Sequence, residues 1–305
     1  MFKRFSFSLL KARFSTQAPF KIKEKDLHFY KENGYMVFPD LISHNDIEEL
    51  KSRTAEMIQE YPIQKQLSFF ETDSKRGADF IHTGDKIHFF FEPGAIDQTT
   101  QTLKVDKQNA FNKIGHAMHD LDPIYKKFSY RETFKKILQS MGYKNPTLCQ
   151  SMYIFKSPKI GQQVNPHTDN SYVITNPLSC CGLWIALDDA KKSNGCLWGV
   201  PGSHKQKTTH FMKRNKEATE TYFEDIDPEK KKSYDIKDSV PLEVKKGTLV
   251  VLHGDFVHYS DDNLSNETRH AYTMHFVETE GCVWDGANWL QRRKDLPFNL
   301  YYKNV

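Results

Sequence analysis

The sequence predicts an α+β fold, in which a mainly β core of sandwich or barrel type carries helices packed on one side. Two observations support this class. The first half of the 305 residues places apolar residues at helical spacing, whereas the second half holds many short β-rich runs separated by turn residues. Helical segments followed by many short strands are typical of a β core with a helical layer outside it.

The first half of the chain is predicted to be mainly helical, with one short strand. Gly34 follows Asn33 at the end of an amphipathic segment, a pattern that often terminates a helix. Ser43 begins a further segment, where residues 43–46 resemble a capping box. The predicted helices cover residues 24–33, 43–60, 110–119 and 130–141, and the predicted strand covers residues 35–38.

The second half is predicted to be mainly strands from about residue 147 onward. In the last strand, Tyr272, Met274 and Phe276 share one face and Thr273 and His275 share the other. This alternation predicts a half-buried strand. The predicted strands cover residues 149–155, 171–175, 182–187, 248–252, 255–259 and 270–278.

Charge and composition argue against several classes of function. The formal net charge is +4, but the first 20 residues hold four basic residues and no acidic residue, so the rest of the chain is neutral. We therefore expect no nucleic-acid partner. No apolar run approaches the length of about 18 residues that a membrane span needs. The five cysteines contain no C-x-x-C pair, which argues against a disulfide scaffold or structural zinc and fits a reducing compartment.

Residues 1–20 have the composition of a mitochondrial transit peptide. They are rich in Arg, Ser and Phe, and their apolar residues gather on one side of a helix with basic residues between them. A disordered basic tail on a cytoplasmic protein is the alternative. No linker or repeat interrupts the remainder, so we expect residues 21–305 to form a single domain.

The pattern His-x-Asp is the strongest candidate for a metal site. It occurs at His44/Asp46, at His167/Asp169 and at His253/Asp255. The first pair lies at a predicted helix start and the last in a turn. On a strand, residues i and i+2 point the same way, so His167 and Asp169 could contact one ion. A third ligand, His258, ends a later strand run, which completes the two-His-one-carboxylate set of non-haem iron sites.

Arg269 begins the strand that follows His258. The intervening residues 260–268 are rich in Asp, Asn and Ser, so a hairpin is expected to return Arg269 to the neighbourhood of His258. Three protein ligands leave room on iron for a bidentate 2-oxo acid and dioxygen. If that acid carries a second carboxylate, a buried guanidinium can bind it through two hydrogen bonds. Each residue alone also has an ordinary structural interpretation, and their order and spacing together favour the site.

Several motifs together resemble the phytanoyl-CoA dioxygenase family, in particular its branch of phytanoyl-CoA dioxygenase domain-containing protein 1. The similarity extends from about residue 26 to residue 302. The motifs that carry it are His167-x-Asp169, Gly182–Ala190, Asn194–Trp198, Pro201–His204, His258-x-Ser260-x-x-Asn263 and Ala271–His275, with Asn112–Ala117, Gln150–Lys156 and Ala287–Leu290 in support.

The resemblance implies a double-stranded β-helix, the jelly-roll or cupin-like fold, with helices on one side. It implies His167, Asp169 and His258 as ligands of Fe²⁺ and Arg269, with Ser260, as the binding site of the distal carboxylate of 2-oxoglutarate. Further contacts with this co-substrate are implied for Lys113, Met152 and Trp184. From the residues alone, Lys113 could equally be an exposed helix lysine, and Met152 and Trp184 could be core residues.

The expected activity is hydroxylation of an unidentified small organic substrate, with 2-oxoglutarate and O₂ consumed and succinate and CO₂ released. Ascorbate is expected to support such a reaction. An acyl-CoA or a carboxylic acid would be compatible, although no glycine-rich phosphate loop is present. Two alternatives remain: a zinc hydrolase using the same ligands, and a non-catalytic module that binds 2-oxoglutarate. The sequence does not indicate an oligomeric state.

Overall fold

The computed structural model describes residues 21–63, 76–97, 99–100, 102–227 and 234–303. The predicted transit peptide, residues 1–20, lies outside these residues. The helices are α1 Glu24–Asn33, α2 His44–Glu60, α3 Ala78–Ile81, α4 Met118–Leu121, α5 Pro123–Ser129 and α6 Glu132–Ser140. The strands are β1 Tyr35–Phe38, β2 Ile87–Phe91, β3 Phe111–His116, β4 Pro146–Ile154, β5 Val164–His167, β6 Thr175–Asn176, β7 Cys181–Ala186, β8 Leu197–Gly199, β9 His210–Arg214, β10 Thr221–Asp225, β11 Val240–Leu242, β12 Leu249–His253, β13 His258–Ser260, β14 Ala271–Glu278 and β15 Val283–Trp284.

Local sequence accounts for the two long helices at the start of the described chain. Gly34 adopts a left-handed conformation at φ 86° and donates its backbone N–H to the carbonyl of Tyr30, which ends α1. The Ser43 hydroxyl accepts the backbone N–H of Asp46 and so caps α2. The predicted boundaries of both helices are therefore confirmed.

A seven-stranded antiparallel sheet organises the molecule. Its strand order is β1-β12-β7-β14-β4-β3-β2, and every neighbouring pair is antiparallel. The long strand β14 lies at the centre, with Thr273 opposite Met152 on β4 and opposite Trp184 on β7. Residues separated by two positions on these strands therefore present a common face.

One face of this sheet packs against the helices. Buried residues from α2, α5 and α6, including Leu50, Phe128 and Ile137, form one apolar cluster with Ile185 and Tyr272 of the sheet. Removal of this apolar surface from water is the main stabilising contribution of the helical layer. The predicted combination of a mainly β core and helices packed on one side is confirmed in this form.

A smaller sheet lies on the opposite side of the cavity described below. Its order is β11-β8-β13-β5, and its pairs are antiparallel. Residues from both sheets line that cavity, among them Trp184 of the large sheet and His258 of the small one. Two further pairs, β9 with β10 and β6 with β15, complete the β structure of the described residues.

Four local predictions were wrong. Residues 110–119 form strand β3 followed by the short helix α4, because pairing with β2 and β4 overrides the helical spacing of Phe111, Ile114 and Met118. Residues 171–175 are mostly a turn, and of the predicted strand over residues 255–259 only residues 258 and 259 are strand. Strand β14 is buried on both faces, since helices cover one and the cavity wall the other.

The predicted hairpin between His258 and Arg269 was also wrong. Strand β13 belongs to the small sheet and β14 to the large sheet, so the connection crosses between sheets. The two ends nevertheless face the same cavity. No helix of the described residues has the length and apolar character needed to cross a membrane.

Candidate metal centre

Three predicted ligands meet at the end of the small sheet. His167 ends β5 and lies opposite His258, which begins β13, and their ring centroids are 4.2 Å apart. Asp169 follows at the start of a short 3₁₀ turn. One ligand atom from each of the three side chains lies within 4.8 Å of the others. A single metal ion can therefore contact all three.

Hydrogen bonds orient both imidazoles toward a common point. The Nδ1 of His167 lies 2.8 Å from the carbonyl oxygen of Asn165, and the Nδ1 of His258 lies 3.0 Å from that of Phe256. A carbonyl can only accept, so Nδ1 carries the proton in each ring and donates it. Each Nε2 then keeps the lone pair that binds a metal, as outer hydrogen bonds commonly arrange in metal sites.

The carboxylate of Asp169 is buried and incompletely satisfied. Its Oδ1 lies 3.3 Å from the Nε2 of His275 and 3.7 Å from the Nε2 of His258. Its Oδ2 has no hydrogen-bond partner among the described residues. Gly182 is required beside it, because a Cβ there would lie 2.7 Å from Oδ2. A buried, unpartnered carboxylate oxygen beside two imidazole nitrogens fits a divalent cation.

The electrostatics of the site favour the protonation states that a metal needs. Burial, reinforced by the nearby His258, lowers the pKa of His167 to about 3. Burial opposes ionisation of Asp169, but the nearby imidazoles of His275 and His258 outweigh it and lower its pKa. At neutral pH the site therefore offers a neutral imidazole and an ionised carboxylate. Two nitrogens and one oxygen suit non-haem iron with open positions, and three protein ligands also suit catalytic zinc.

Arg269 lies in the same cavity and is only 1 % exposed. Its Nε donates to the carbonyl of Gly195 at 3.0 Å, and its guanidinium carbon lies 5.6 Å from the ring centroid of Trp184. Its Nη1 has no hydrogen-bond partner in the part of the chain that the structure describes. Burial lowers the pKa of Arg269 to about 10, so the group stays charged at neutral pH. A buried cation with a free N–H fits an anionic ligand.

The other predicted contact residues also line the cavity. Ser260 and Trp184 are 2 % and 4 % exposed, and Met152 packs beside Gly115 of β3. Lys113 was predicted with equal weight as an exposed helix lysine, and that alternative was wrong, because it lies on β3 and is 9 % exposed. Burial first, and then the charge of Arg76, hold its pKa well below the usual range.

Sequence reasoning did not assign four further residues at the site. His275 contacts Asp169, Gly182 leaves space for it, and Lys156 and Glu92 line the cavity near Arg269 and Lys113. Burial and the nearby Arg269 lower the pKa of Lys156 to about 7, and its Nζ donates to the carbonyls of Gln162 and Asp261. His275, Gly182 and Lys156 lie within the motifs quoted above and Glu92 lies outside them, and only the packing reveals their neighbours.

The cavity has a volume of about 150 Å³. Metal-ligand candidates and Arg269 line one part, and the aromatic side chains of Phe80, Tyr172 and Trp289 line another. Its lining therefore combines apolar and aromatic surface with convergent polar groups, which is typical of a small-molecule site.

Comparisons with known proteins agree with this arrangement. The family model described as Phytanoyl-CoA dioxygenase (PhyH) matches residues 30–271. A protein of Arabidopsis thaliana named phytanoyl-CoA dioxygenase is 43 % identical over 278 residues, covering 90 % of this chain and 95 % of the relative. Phytanoyl-CoA dioxygenase domain-containing protein 1 of Danio rerio is 39 % identical over 290 residues, covering 92 % and 99 %.

A solved structure supports the fold independently. The crystal structure of EctD from S. alaskensis, determined with 2-oxoglutarate and 5-hydroxyectoine, aligns with a TM-score of 0.62 at 14 % identity and covers 93 % of this chain and 88 % of that chain. From the extent of these sequence matches, the chain belongs to the phytanoyl-CoA dioxygenase family and is an enzyme of the oxygenase type.

Proposed function

We propose that the protein is an Fe²⁺- and 2-oxoglutarate-dependent dioxygenase that hydroxylates a small organic substrate. The observation that carries the proposal is the shared cavity of His167, Asp169 and His258 with the unpaired Nη1 of Arg269. The first three residues match a facial iron site, and Arg269 suits the distal carboxylate of a dicarboxylate co-substrate. The two facing sheets are consistent with a double-stranded β-helix of jelly-roll type.

The residues of the cavity have separate roles in the proposed reaction. His167, Asp169 and His258 hold the iron, and Arg269 binds the distal carboxylate of 2-oxoglutarate with Ser260 beside it. When bound, iron and 2-oxoglutarate together activate O₂ for hydroxylation of a substrate carbon, with release of succinate and CO₂. His275 holds the carboxylate of Asp169 in place.

The remaining wall positions the co-substrate and limits water. Lys113 of β3, Met152 of β4 and Trp184 of β7 line the cavity, where they would contact 2-oxoglutarate. All three side chains lie on strands that are paired on both sides, which restrains their positions and so would fix the orientation of a bound molecule. The apolar lining keeps bulk water from the reacting groups.

Two other activities would use the same ligands. A zinc hydrolase would consume no O₂ and would not need the buried Arg269. A non-catalytic module would bind 2-oxoglutarate without turning it over. The name of the Arabidopsis relative suggests an acyl-CoA substrate, and carboxylic acids are equally compatible with the proposed reaction.

Formation of succinate from 2-oxoglutarate tests the proposed function. The purified chain is incubated with Fe²⁺, ascorbate, 2-oxoglutarate and air, and succinate is quantified, with Zn²⁺ in place of Fe²⁺ as a control. We expect succinate only with Fe²⁺ and O₂. Binding of 2-oxoglutarate without any succinate would favour the non-catalytic module. Hydrolysis of an added substrate with Zn²⁺ under nitrogen would favour the hydrolase.

We further propose that the single domain of residues 21–305 is delivered to mitochondria by residues 1–20. The basic, acid-free composition of that segment supports import. A fusion of residues 1–25 to a fluorescent reporter should co-localise with mitochondria. A reporter that stays in the cytoplasm would contradict the proposal.

A further inference from the structure

The cavity contains a buried carboxamide that the proposed reaction does not use. Gln150 lies on β4, is 5 % exposed and lines the cavity. Its side-chain amide makes no hydrogen bond within the described part of the chain. A buried amide without hydrogen bonds costs free energy, so this group suits a ligand that supplies the missing partners.

A second unsatisfied polar group lies near it on the neighbouring strand. Thr273 of β14 is 6 % exposed and lines the cavity, and its hydroxyl has no hydrogen-bond partner among the described residues. Gln150 lies directly opposite His275, two residues beyond Thr273. Gln150 and Thr273 are therefore diagonal neighbours on one face of the sheet, roughly 7–8 Å apart. A small polar group placed between them can bond both.

Gln150 lies beside the metal centre and away from the proposed carboxylate site of the co-substrate. His275, opposite Gln150, lies 3.3 Å from the carboxylate of Asp169. Arg269 precedes β14, whose first residue pairs with Ile154, four residues along β4 from Gln150. In the proposed reaction the co-substrate extends from the metal toward Arg269. The space beside Gln150 is therefore left for the substrate.

An aromatic wall lies next to Gln150 on the side away from β14. The strand beyond β4 is β3, where His116 pairs with the residue that follows Gln150. The ring of His116 lies 4.9 Å from that of Trp289 and 5.8 Å from that of Phe80. The cavity volume of about 150 Å³ is below the ~300–1,000 Å³ of drug-sized sites. A small substrate can thus pack an apolar part on these rings and present a polar group to Gln150.

The two strands at this position offer no charge to a ligand. Strands β4 and β14 line the cavity with Gln150, Met152, Ile154, Thr273 and His275, none of which carries a permanent charge. A charged substrate group buried among them would have no counter-ion on either strand, which is unfavourable. An amide side chain and a hydroxyl each donate and accept hydrogen bonds. A neutral ligand group that also does both satisfies them best.

We propose that Gln150, together with Thr273, binds a neutral hydroxyl or carboxamide group of a small substrate whose apolar part packs on Phe80 and Trp289. This inference rests on the proposed function, because it names the substrate class of the same site. It disfavours a free carboxylate at this position, because the charge is not compensated. It also disfavours an ester or a thioester, which cannot donate to the amide oxygen. Gln150 is thus a specificity-determining residue.

The test compares matched probes on matched variants. The probes are 3-phenylpropanamide and hexanamide, each with the corresponding primary alcohol, free acid and methyl ester. The proteins are the wild type, Gln150→Met, Gln150→Glu and, as a control, Gln139→Met at an exposed position of α6. Affinities are measured by calorimetry with Fe²⁺ and 2-oxoglutarate under nitrogen, and probe-stimulated succinate is measured in air.

We expect the wild type and Gln139→Met to bind the amide or the alcohol of at least one series about ten-fold or more tightly than the matched acid and ester. The tighter of the two identifies the group that is bound. Gln150→Met should lose the preference, because it has a side chain of similar length without the polar atoms. Gln150→Glu keeps an acceptor without N–H donors and should retain part of the preference.

The affinity for 2-oxoglutarate separates recognition of the substrate from a general disturbance of the cavity. Because Gln150 lies away from Arg269, the Kd of 2-oxoglutarate in Gln150→Met should stay within about three-fold of the wild-type value. A loss of 2-oxoglutarate affinity as large as the loss of probe affinity would overturn the assignment.

Other results would also overturn the inference. They are binding of the acid or the ester as tightly as the amide and the alcohol, no binding of any amide or alcohol, and a preference that survives in Gln150→Met. Should Gln150→Met fail to fold, the comparison of the probes on the wild type and on Gln150→Glu still decides the question.

The two proposals fail in different ways. If the chain is not a dioxygenase, no protein makes succinate, while calorimetry still reports any preference for the amide or the alcohol. If only the substrate class is wrong, succinate forms but the amides and alcohols neither bind nor stimulate it.

Discussion

The two faces of the seven-stranded sheet differ in how their polar groups are satisfied. On the helical face, the Tyr272 hydroxyl bonds Ser129 at 2.8 Å and the Tyr125 hydroxyl bonds the carbonyl of Leu50 at 3.0 Å. On the cavity side, buried polar atoms of Thr273 and His275 have no hydrogen-bond partner among the described residues. Alternate residues of the same strand β14 therefore serve two different purposes.

This difference indicates that the helical face mainly stabilises the fold and that the cavity side mainly binds ligands. Filled apolar packing with satisfied hydroxyls stabilises the fold, whereas unsatisfied buried donors and acceptors cost free energy unless a ligand binds them. Substitutions on the helical face should therefore reduce the free energy of unfolding with little effect on chemistry. Substitutions at the cavity should reduce binding or turnover while the fold persists.

The largest effect is expected at the metal site. Asp169→Ala removes the only carboxylate of the triad, so succinate formation should fall at least ~10³-fold, or about 4 kcal/mol in activation free energy. Circular dichroism should still show a folded protein. Asp235→Ala, whose side chain is 68 % exposed in the wild type, is the matched control and should behave as the wild type. Full activity of Asp169→Ala would contradict the assignment.

A substitution on the helical face should have the opposite pattern. Ile185 is next to Trp184 on β7 but packs into the helical cluster, where it is fully buried. Ile185→Ala should lower the free energy of unfolding by about 2–5 kcal/mol, through lost burial and a cavity. Urea unfolding measures this loss. Metal stoichiometry per folded molecule should be unchanged, and its loss would mean that the two faces are not separable.

The pH dependence of the free energy of unfolding also tests the role of the helical face. His270 bonds Tyr153 on the helical side at 2.8 Å, and burial lowers its pKa from 6.5 to about 4. Because the unfolded chain binds the proton first as pH falls, stability is present above pH 6.5 and is lost progressively down to about pH 4. The loss is on the order of 3 kcal/mol.

Denaturant titrations between pH 7 and pH 4 measure this dependence. In His270→Gln, the free energy of unfolding should change less between pH 7 and pH 4, by the part that His270 contributes in the wild type. In His44→Gln, at an exposed position, it should change as in the wild type. An unchanged slope in His270→Gln would show that the neutral form of His270 does not stabilise the fold.

The smallest of these effects is expected for co-substrate binding. Arg269→Gln removes the positive charge and the paired N–H donors of the guanidinium, so the Kd of 2-oxoglutarate should rise about 10–100-fold. Arg269→Lys keeps the positive charge without the paired N–H donors and should give an intermediate Kd. Calorimetry under nitrogen measures both. Unchanged affinity in Arg269→Gln would place the distal carboxylate elsewhere.

The sequence predicted the clustering of the three candidate ligands better than their surroundings. His167, Asp169 and His258 could be identified because residue type, order and spacing are all visible in the chain. The strand of Lys113 was missed because the apolar residues around it have helical spacing, and only pairing with β2 and β4 makes the segment a strand.

Contacts that depend on packing could not be predicted. His275 on β14 lies 3.3 Å from Asp169, and the backbone of Arg76, another residue of the cavity lining, bonds Thr221 on β10. Neither contact has a fixed spacing in the sequence. The crossing of the chain from β13 to β14 was missed for the same reason, since a polar turn fits both a hairpin and a change of sheet.

Metal stoichiometry tests the central claim most directly. The full chain is titrated anaerobically with Fe²⁺ by calorimetry, alongside His258→Ala and, as a control, His44→Ala from another of the His-x-Asp pairs. We predict one equivalent of tightly bound Fe²⁺ for the wild type and His44→Ala, and no tight binding for His258→Ala. Tight binding of one equivalent by His258→Ala, with the affinity of the wild type, would contradict the account.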